Sequence, residues 1–587
     1  MKIFKNNIMK SRVKTYIAAA FVIFLMASCS DALNINPKGV ITDEELKDPK
    51  NVDGLVTAAY AYFPRVGAFD TMNPWIASIR SDDAYKGGGG LDDQPAWYQM
   101  GVFSMVNPNV GNNDGVWYQA YCGISRVNTA INAINKVDDA QYPLKKSRLA
   151  EMRFLRGWMH FKLKNRFRWI PFIDENATTT DIPTVTNHPE GDDTANDLAL
   201  WQKILDDFKF AAENLPQNQD EKGRANKYAA DALVAKTLLW MAYPEGDKNQ
   251  VIKIDNGKLT EALKYCDEII ASGKYHLSSD FAYNFMLEYD NATPESIWEL
   301  QFTIQDGTNR GNLNEGNGLT APWWNPYFSC CDFHKASYNL VNAFKVGANG
   351  LPLFDTFNEE DITNKTSYFE NNNWDPRLNH TVAIPGFPWK YQTIRYDSTA
   401  SRQPATYGYM NSMKENVTTN SPGLYNAFWM FNSKNQAEIR YDEVLLWKAE
   451  ILIQLNREKE ALPLINEIRV RASNSTAKLK LPNGSYPAKY KIEPYIDGGN
   501  CTWNHDFAWK ALIWENRLEM AMEGRRFYDL VRWGMAEEVL NSYFAKESQR
   551  RSWLKVAHFT AGRDEYLPIP QAQMNWSRGV YRQNVGY

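Results

Sequence analysis

The longest periodic stretches of the chain carry apolar residues at three- and four-residue spacing, as helices with one buried face require. Residues 116–137 place Tyr121, Ile124, Val127, Ile131 and Ile134 on one stripe, and residues 144–167 repeat this with Leu149, Met152, Leu155, Met159 and Leu163. Two antiparallel helices are predicted there. An earlier helix over 51–63 puts Val52, Leu55, Val56, Ala59 and Tyr60 on one face. Residues 197–214 and 227–243 are predicted as amphipathic helices, and 259–272 as the second helix of a repeat with Cys266 on its apolar stripe, a buried free thiol. The clearest pair runs over 439–455, turns at 456–458 and continues to 472. There Trp447, Ala449, Ala461, Leu462 and Ile465 set large residues against small ones, as in a tetratricopeptide repeat. Proline fits only the first turn of a helix, so Pro463 predicts that the second helix starts near Glu460.

Two regions break this rhythm. Residues 73–114 are rich in Gly, Asn and Asp, including four glycines at 87–90, and read as loop. Between 274 and 435 the helical period is mostly lost, with strands predicted at 296–302 and 380–384. Irregular insertions of this length in a compact scaffold are functional or disordered, and the aromatic content here argues for function. The predicted architecture is therefore mainly α, with tetratricopeptide-like helix pairs (an α-α superhelix) over about 115–273 and 437–535. A large loop-rich ligand-binding portion with a few short strands occupies about 274–436.

The N-terminus sets the compartment. Lys2, Lys5, Lys10, Arg12 and Lys14 precede an apolar run of about a dozen residues ending at Cys29. That run is shorter than the roughly 20 residues a membrane-spanning helix needs, so 1–28 reads as an export signal. Ala27 and Ser28 before Cys29 resemble a lipobox, with Met26 in place of the more usual Leu. Cys29 is accordingly predicted to be acylated, leaving 29–587 as one domain on a polar tether (30–41). Without the leader's five cations, the formal net charge falls from −4 to about −9. An acidic chain argues against nucleic acid as partner. Cys122, Cys266, Cys330, Cys331 and Cys501 make no disulfide framework, and no Cys/His cluster has zinc spacing.

No GxSxG, phosphate loop, HExxH or GxGxxG is present. No catalytic residue, cofactor or metal is assigned. Paired acids of a glycosidase come together only in the fold; Asp82 and Asp83, Asp92 and Asp93, and the glutamates of 515–523 are the candidates, solvated charges and salt bridges being the plainer reading. The aromatic loops fit carbohydrate better. Sugar rings expose CH faces that stack on Trp or Tyr, while Asp, Asn and Arg take the hydroxyls. Trp97 and Tyr98, beside the glycine run and the Asp pairs, and Trp323 and Trp324, beside Asn325, have that character. Each also has the plain reading of an aromatic that anchors its loop in the core. Cys330 and Cys331 are adjacent: two thiols, or in an oxidising compartment a vicinal disulfide whose apolar sulfur face could pack on a sugar.

The segment 512–534, LeuIleTrpGluAsnArgLeuGluMetAlaMetGluGlyArgArgPheTyrAspLeuValArgTrpGly, resembles the signature of the SusD/RagB family of outer-membrane lipoproteins. TyrLeuProIlePro (566–570) and GlnAsnValGlyTyr (583–587) resemble its closing segment, with Val585 where Pro is typical and Trp576-Ser577 in place of a Pro-containing turn. Residues 30–42 are similar to the family's mature start. In the helical motif, Arg525 or Arg526 is expected to reach Asp529, with Phe527, Leu530 and Trp533 as an apolar face.

The resemblance implies four tetratricopeptide-like pairs carrying an irregular binding portion, and a SusC-like TonB-dependent transporter as partner. The chain would be lipid-anchored in the outer membrane, face the exterior and pass oligosaccharide to the barrel. Asp82, Asp83, Trp97, Tyr98, Trp323, Trp324, Asn325, Cys330 and Cys331 are the expected ligand-binding residues. Some relatives handle peptides, so a peptide binder is the alternative; a helical glycoside hydrolase and a ligandless transporter plug are the remaining rivals.

Overall fold

Six helices in succession turn the apolar stripes into buried faces: α1 (Pro49–Val66), α2 (Asn113–Lys136), α3 (Lys145–Phe167), α4 (Asp193–Asn214), α5 (Lys227–Met241) and α6 (Asn256–Ala271), each packed on the next. The computed structural model describes residues 45, 48–66, 74–111, 113–177, 185–362, 366–427 and 429–587; Cys29, the leader and the tether lie outside them. Ile124, Val127, Ile131 and Ile134 of α2 and Met152, Leu155, Met159 and Leu163 of α3 are buried against each other. Side-chain caps start several helices: Asp192 accepts from the Ala195 amide, Asn226 from Ala229 and Asp255 from Gly257 and Lys258. Gly157 lets α3 approach α4, since a Cβ there would stand 2.9 Å from the Phe208 ring. α5 is not the amphipathic helix its pattern suggested. Flanked by α4 and α6, it buries nearly every side chain, Asp231 and Thr237 included. Cys266 is a buried free thiol, and burial holds it well above the ordinary thiol range.

The stack continues across the insertion, because α6 packs on α7 (Tyr441–Gln454), which packs on α8 (Glu458–Asn474) and α9 (His505–Glu519). Of four strands that organise the insertion, β1 (Ala84–Gly87), β2 (Ser296–Leu300), β3 (Phe333–Ala336) and β4 (Gln436–Arg440), β2 and β4 pair antiparallel with Ala437 opposite Glu299 and close its neck. Ile439 belongs to this strand, so α7 begins only at Tyr441. α8 starts at Glu458 and keeps Pro463 inside, against the expectation of a later start. Its first turn is closed by the Glu460 amide on the Arg457 carbonyl and by the Arg457–Glu460 ion pair. The stretch expected as loop at 73–114 holds helical segments Pro74–Ile79 and Pro95–Val102 as well as β1, which pairs antiparallel with β3. Of the strand expected at 380–384, only Val382–Ala383 pairs, and His380 sits in a helical turn. Among the described residues no helix is long and apolar enough to cross a membrane.

The glutamates of 515–523 are bound into a buried ion network. Arg377 reaches Asp375 and Glu515 at 2.6 Å and Glu519 at 2.8 Å, Arg469 reaches Glu515 at 3.0 Å, and Arg471 bridges Glu295 and Glu519. Arg440 joins Asp442 to Glu523. Glu295, Asp442 and Glu519 bring carboxylate oxygens within 4.8 Å of one another, and Arg440 and Arg471 answer their charge. Arg525 and Arg526 do not take Asp529 as expected. Arg525 pairs with Glu443 at 2.9 Å, Arg526 with Asp82 at 3.0 Å, and Asp529 with Arg532 at 3.0 Å. These arginines tie the signature helix to remote elements, while Phe527, Leu530 and Trp533 are buried as expected.

Burial, together with the neighbouring Glu519 and against the pull of Arg440, pushes Asp442 up to about 7. The folded chain then holds a proton that the unfolded chain releases near the ordinary Asp value, so stability from this group falls as pH rises between those limits. Asp442→Asn, which stays neutral, is expected to gain on the wild type by about 1–3 kcal/mol between pH 5 and pH 8. Thermal midpoints at the two pH values check this, and a pH-independent difference would refute it.

Candidate functional site

Three segments meet around Trp323. The first is the glycine run after β1. Gly87 has φ +80°, and a Cβ on it would collide with the Asp332 carbonyl oxygen; one on Gly88 would stand 2.5 Å from the Phe333 ring. Only glycine allows this approach of the run to β3. Lys86, buried beneath the loop, donates to the carbonyl oxygens of Gly90 at 2.7 Å and of Asp93, and burial lowers it to about 8. The Asp93 carboxylate accepts from the Gly89 amide at 2.7 Å, which fixes it at the surface.

The second and third segments are 321–331 and 401–402. Asp332 is buried and accepts from Lys335 at 2.7 Å, Asn411 at 2.9 Å, the Arg402 amide at 2.8 Å and Ser401 at 3.2 Å. This hub sets the Arg402 side chain between the other two segments. Its guanidinium carbon lies 4.9 Å from the centre of the Trp323 ring, and its Nη1 donates to Asp93 at 3.1 Å and to the Cys331 carbonyl oxygen at 3.3 Å. Trp323 is 45% exposed. An exposed indole with an adjoining arginine–carboxylate pair, both partners part-exposed, offers a stacking surface and fixed hydrogen-bond groups side by side.

Next to it runs 429–431. The Ser329 hydroxyl donates to the Met430 sulfur at 3.1 Å, and Trp429, 42% exposed, stands 6.0 Å from Phe431. The Arg310 guanidinium carbon is 5.5 Å from the Phe431 ring centre, and Arg310 pairs with Glu315. Here too the cation has its own carboxylate.

The other residues expected at the site are placed differently. Trp97 is 1% exposed, wedged edge-on against Trp75 at 4.6 Å and Phe333 at 5.2 Å, so it offers no face to a ligand. Tyr98 is half-buried and packs its edge on Trp553 at 5.9 Å. Trp324 is buried among Tyr327, Trp389 and Tyr396, where it anchors the loop that exposes Trp323. Asp82 and Asp83 are buried and held by Arg517 and Arg526, which corrects the reading of them as ligand groups. Cys330 and Cys331 are joined as a disulfide, but both are buried, so no sulfur face is presented. Asn325 is exposed two residues from Trp323. Trp323 and Asn325 thus remain, joined by Asp93 and Arg402.

The sequence profile described as the SusD family matches residues 294–587, half of the chain. The chain belongs to the SusD family. A second profile, described as starch-binding associating with outer membrane, matches 71–239. SusD-like protein P2 of Formosa agariphila is 22% identical over 578 residues, covering 97% of this chain and 99% of its own. Among solved structures, a laminarin binding SusD-like protein superposes with a TM-score of 0.64 at 22% identity, over 92% of this chain and 99% of that one. Surface glycan-binding protein A from Bacteroides thetaiotaomicron in complex with laminarihexaose gives 0.62 at 22% identity, over 91% and 99%.

Within this SusD-family chain, sequence reading missed Arg402 and Trp429. Arg402 stands alone in a SerArgGlnPro stretch and gains meaning only from Asp332 and Asp93, distant in sequence. Trp429 did carry a signal, the AlaPheTrpMetPhe run at 427–431 between turn residues, an aromatic cluster in a loop like that at 321–328.

Proposed function

We propose that the chain is a non-catalytic glycan-binding lipoprotein that captures oligosaccharide on the Trp323 surface and passes it to a SusC-like TonB-dependent transporter. One observation carries the reading: an exposed indole backed by the Arg402–Asp93 pair, on loops braced by buried residues. Both nearby cations, Arg402 and Arg310, have a carboxylate partner, which favours a neutral glycan over a uronate or sulfated one. The glucans in the names of the laminarin-binding neighbours are neutral as well. Of the candidate acids, Asp82, Asp83, Glu515 and Glu519 are buried against arginines and the part-exposed Asp93 is paired with Arg402, which supports the non-catalytic reading. Membrane association is supported by the second profile's description and by the lipobox-like Cys29. Acylation there would place the protein on the outer membrane, exterior side, and raise its effective concentration beside the barrel, so modest stacking affinity would suffice.

Affinity electrophoresis against neutral and acidic polysaccharides tests the reading. Retardation by a neutral glycan is expected. Binding of peptides with no glycan retarded would establish the peptide-binding alternative, and release of reducing sugar would establish a hydrolase.

A further inference from the structure

A second cleft lies away from the Trp323 surface and shares no lining residue with it. It has a volume of about 540 Å³, within the usual range for small-molecule sites. One wall is the loop at 355–359; the other is α9 together with α10 (Ala536–Glu547). Trp514 and Phe357, both half-buried, meet edge-to-face at 4.9 Å, and the Trp514 indole N–H is held by the Ala343 carbonyl oxygen at 3.2 Å, which locks the aromatic wall.

The polar groups of this cleft are built, not incidental. Asn339 is 5% exposed and its Oδ1 accepts from Arg517 Nη2 at 2.6 Å; Asn358 is 9% exposed and its Oδ1 accepts from Arg550 Nη1 at 2.8 Å. A guanidinium only donates, so both amide oxygens are committed and both NH₂ groups are left over. Neither NH₂ has a partner among the described residues, and neither has the hydroxyl of Tyr543, which is 5% exposed. Three donor-capable groups on largely buried side chains therefore line one aromatic-walled cleft. Its buried carboxylate Asp82 is already matched by Arg517 and Arg526, exposed Asp355 at the mouth is paired with Lys510 at 2.6 Å, and the remaining charged lining residues, Glu359, Glu538 and Lys546, are exposed or part-exposed. An anion or a cation gains no bare counter-charge on that floor. A neutral polyhydroxylated ring gains CH contact with the aromatic wall and donors for its hydroxyls' lone pairs.

We propose that this cleft is a second, independent binding site for a neutral sugar. A chain with two such sites would hold one glycan at two points, or hold a short product while the Trp323 surface engages the polymer.

The test uses the mature protein and calorimetric titration with neutral hexasaccharides: laminarihexaose, maltohexaose, cellohexaose and xylohexaose. The double variant Trp323→Ala, Arg402→Ala removes the first surface. It is expected to retain saturable binding of at least one probe, weakened about tenfold by Tyr543→Phe and lost in Ser542→Trp, which fills the cleft from an exposed position of α10. No binding by the double variant, or residual binding that Ser542→Trp leaves unchanged, overturns the proposal. Wild type and double variant binding alike, with Ser542→Trp abolishing both, would instead uphold the cleft and remove the Trp323 reading. Unchanged melting of Ser542→Trp confirms that folding is not the cause.

Discussion

Replacing Arg377 by methionine is expected to cost the folded protein about 3–5 kcal/mol, because it leaves buried carboxylates without their counter-charge. Arg377 is fully buried and is shared by Asp375, Glu515 and Glu519. After its removal Glu515 keeps Arg469 and Glu519 keeps Arg471, but Asp375 loses the guanidinium that holds its pKa below the ordinary value against burial. The loss should therefore fall mainly on Asp375, and adding Asp375→Asn should recover part of it. Chemical unfolding of the single and double variants measures both effects. A single variant within about 1 kcal/mol of wild type would show that the network relaxes or hydrates without it.

The second large effect is on binding. Trp323→Ala is expected to weaken glycan retention by ten- to thirtyfold, since truncating a central aromatic anchor typically removes about 2 kcal/mol and 1.4 kcal/mol is tenfold. Melting should barely change, because Trp323 is half outside the core. Trp324→Ala is the internal contrast. That ring is 6% exposed among three aromatic neighbours, so truncation should destabilise by about 3–5 kcal/mol. Affinity electrophoresis and melting of the two variants separate the platform from its anchor. Equal retention by wild type and Trp323→Ala would end the assignment of this surface.

The contrast between these neighbours shows how sequence and structure divide the information. Both tryptophans sit in one aromatic, proline-flanked stretch, and composition alone gave them equal standing, as it did Trp97. A loop presents one side chain by burying the next, and which is buried depends on what packs beneath. For Trp324 that is Trp389 and Tyr396, more than sixty residues away; for Trp97 it is Trp75 and Phe333. The same holds for charge. Asp82 and Asp83 look like surface acids in sequence, yet Arg517 and Arg526, over 430 residues on, take them inside.

What the sequence determined by itself is local and periodic. Apolar residues at helical spacing set the scaffold helices to within a few residues, because a helix buries one stripe whatever it packs against. The long C-terminal motif was enough to place the chain in its family, and it also marks the arginines and glutamates whose pairing holds the insertion to the scaffold. Tertiary structure alone decided what depends on contacts between distant segments. Those are the pairing of β2 with β4 and of β1 with β3, the full burial of α5, and the meeting of Asp93, Trp323 and Arg402. Hydrophobic periodicity is a property of neighbouring residues, whereas exposure and ion pairing belong to whatever the fold brings alongside. A binding surface made of three loops therefore has no signature in any one of them.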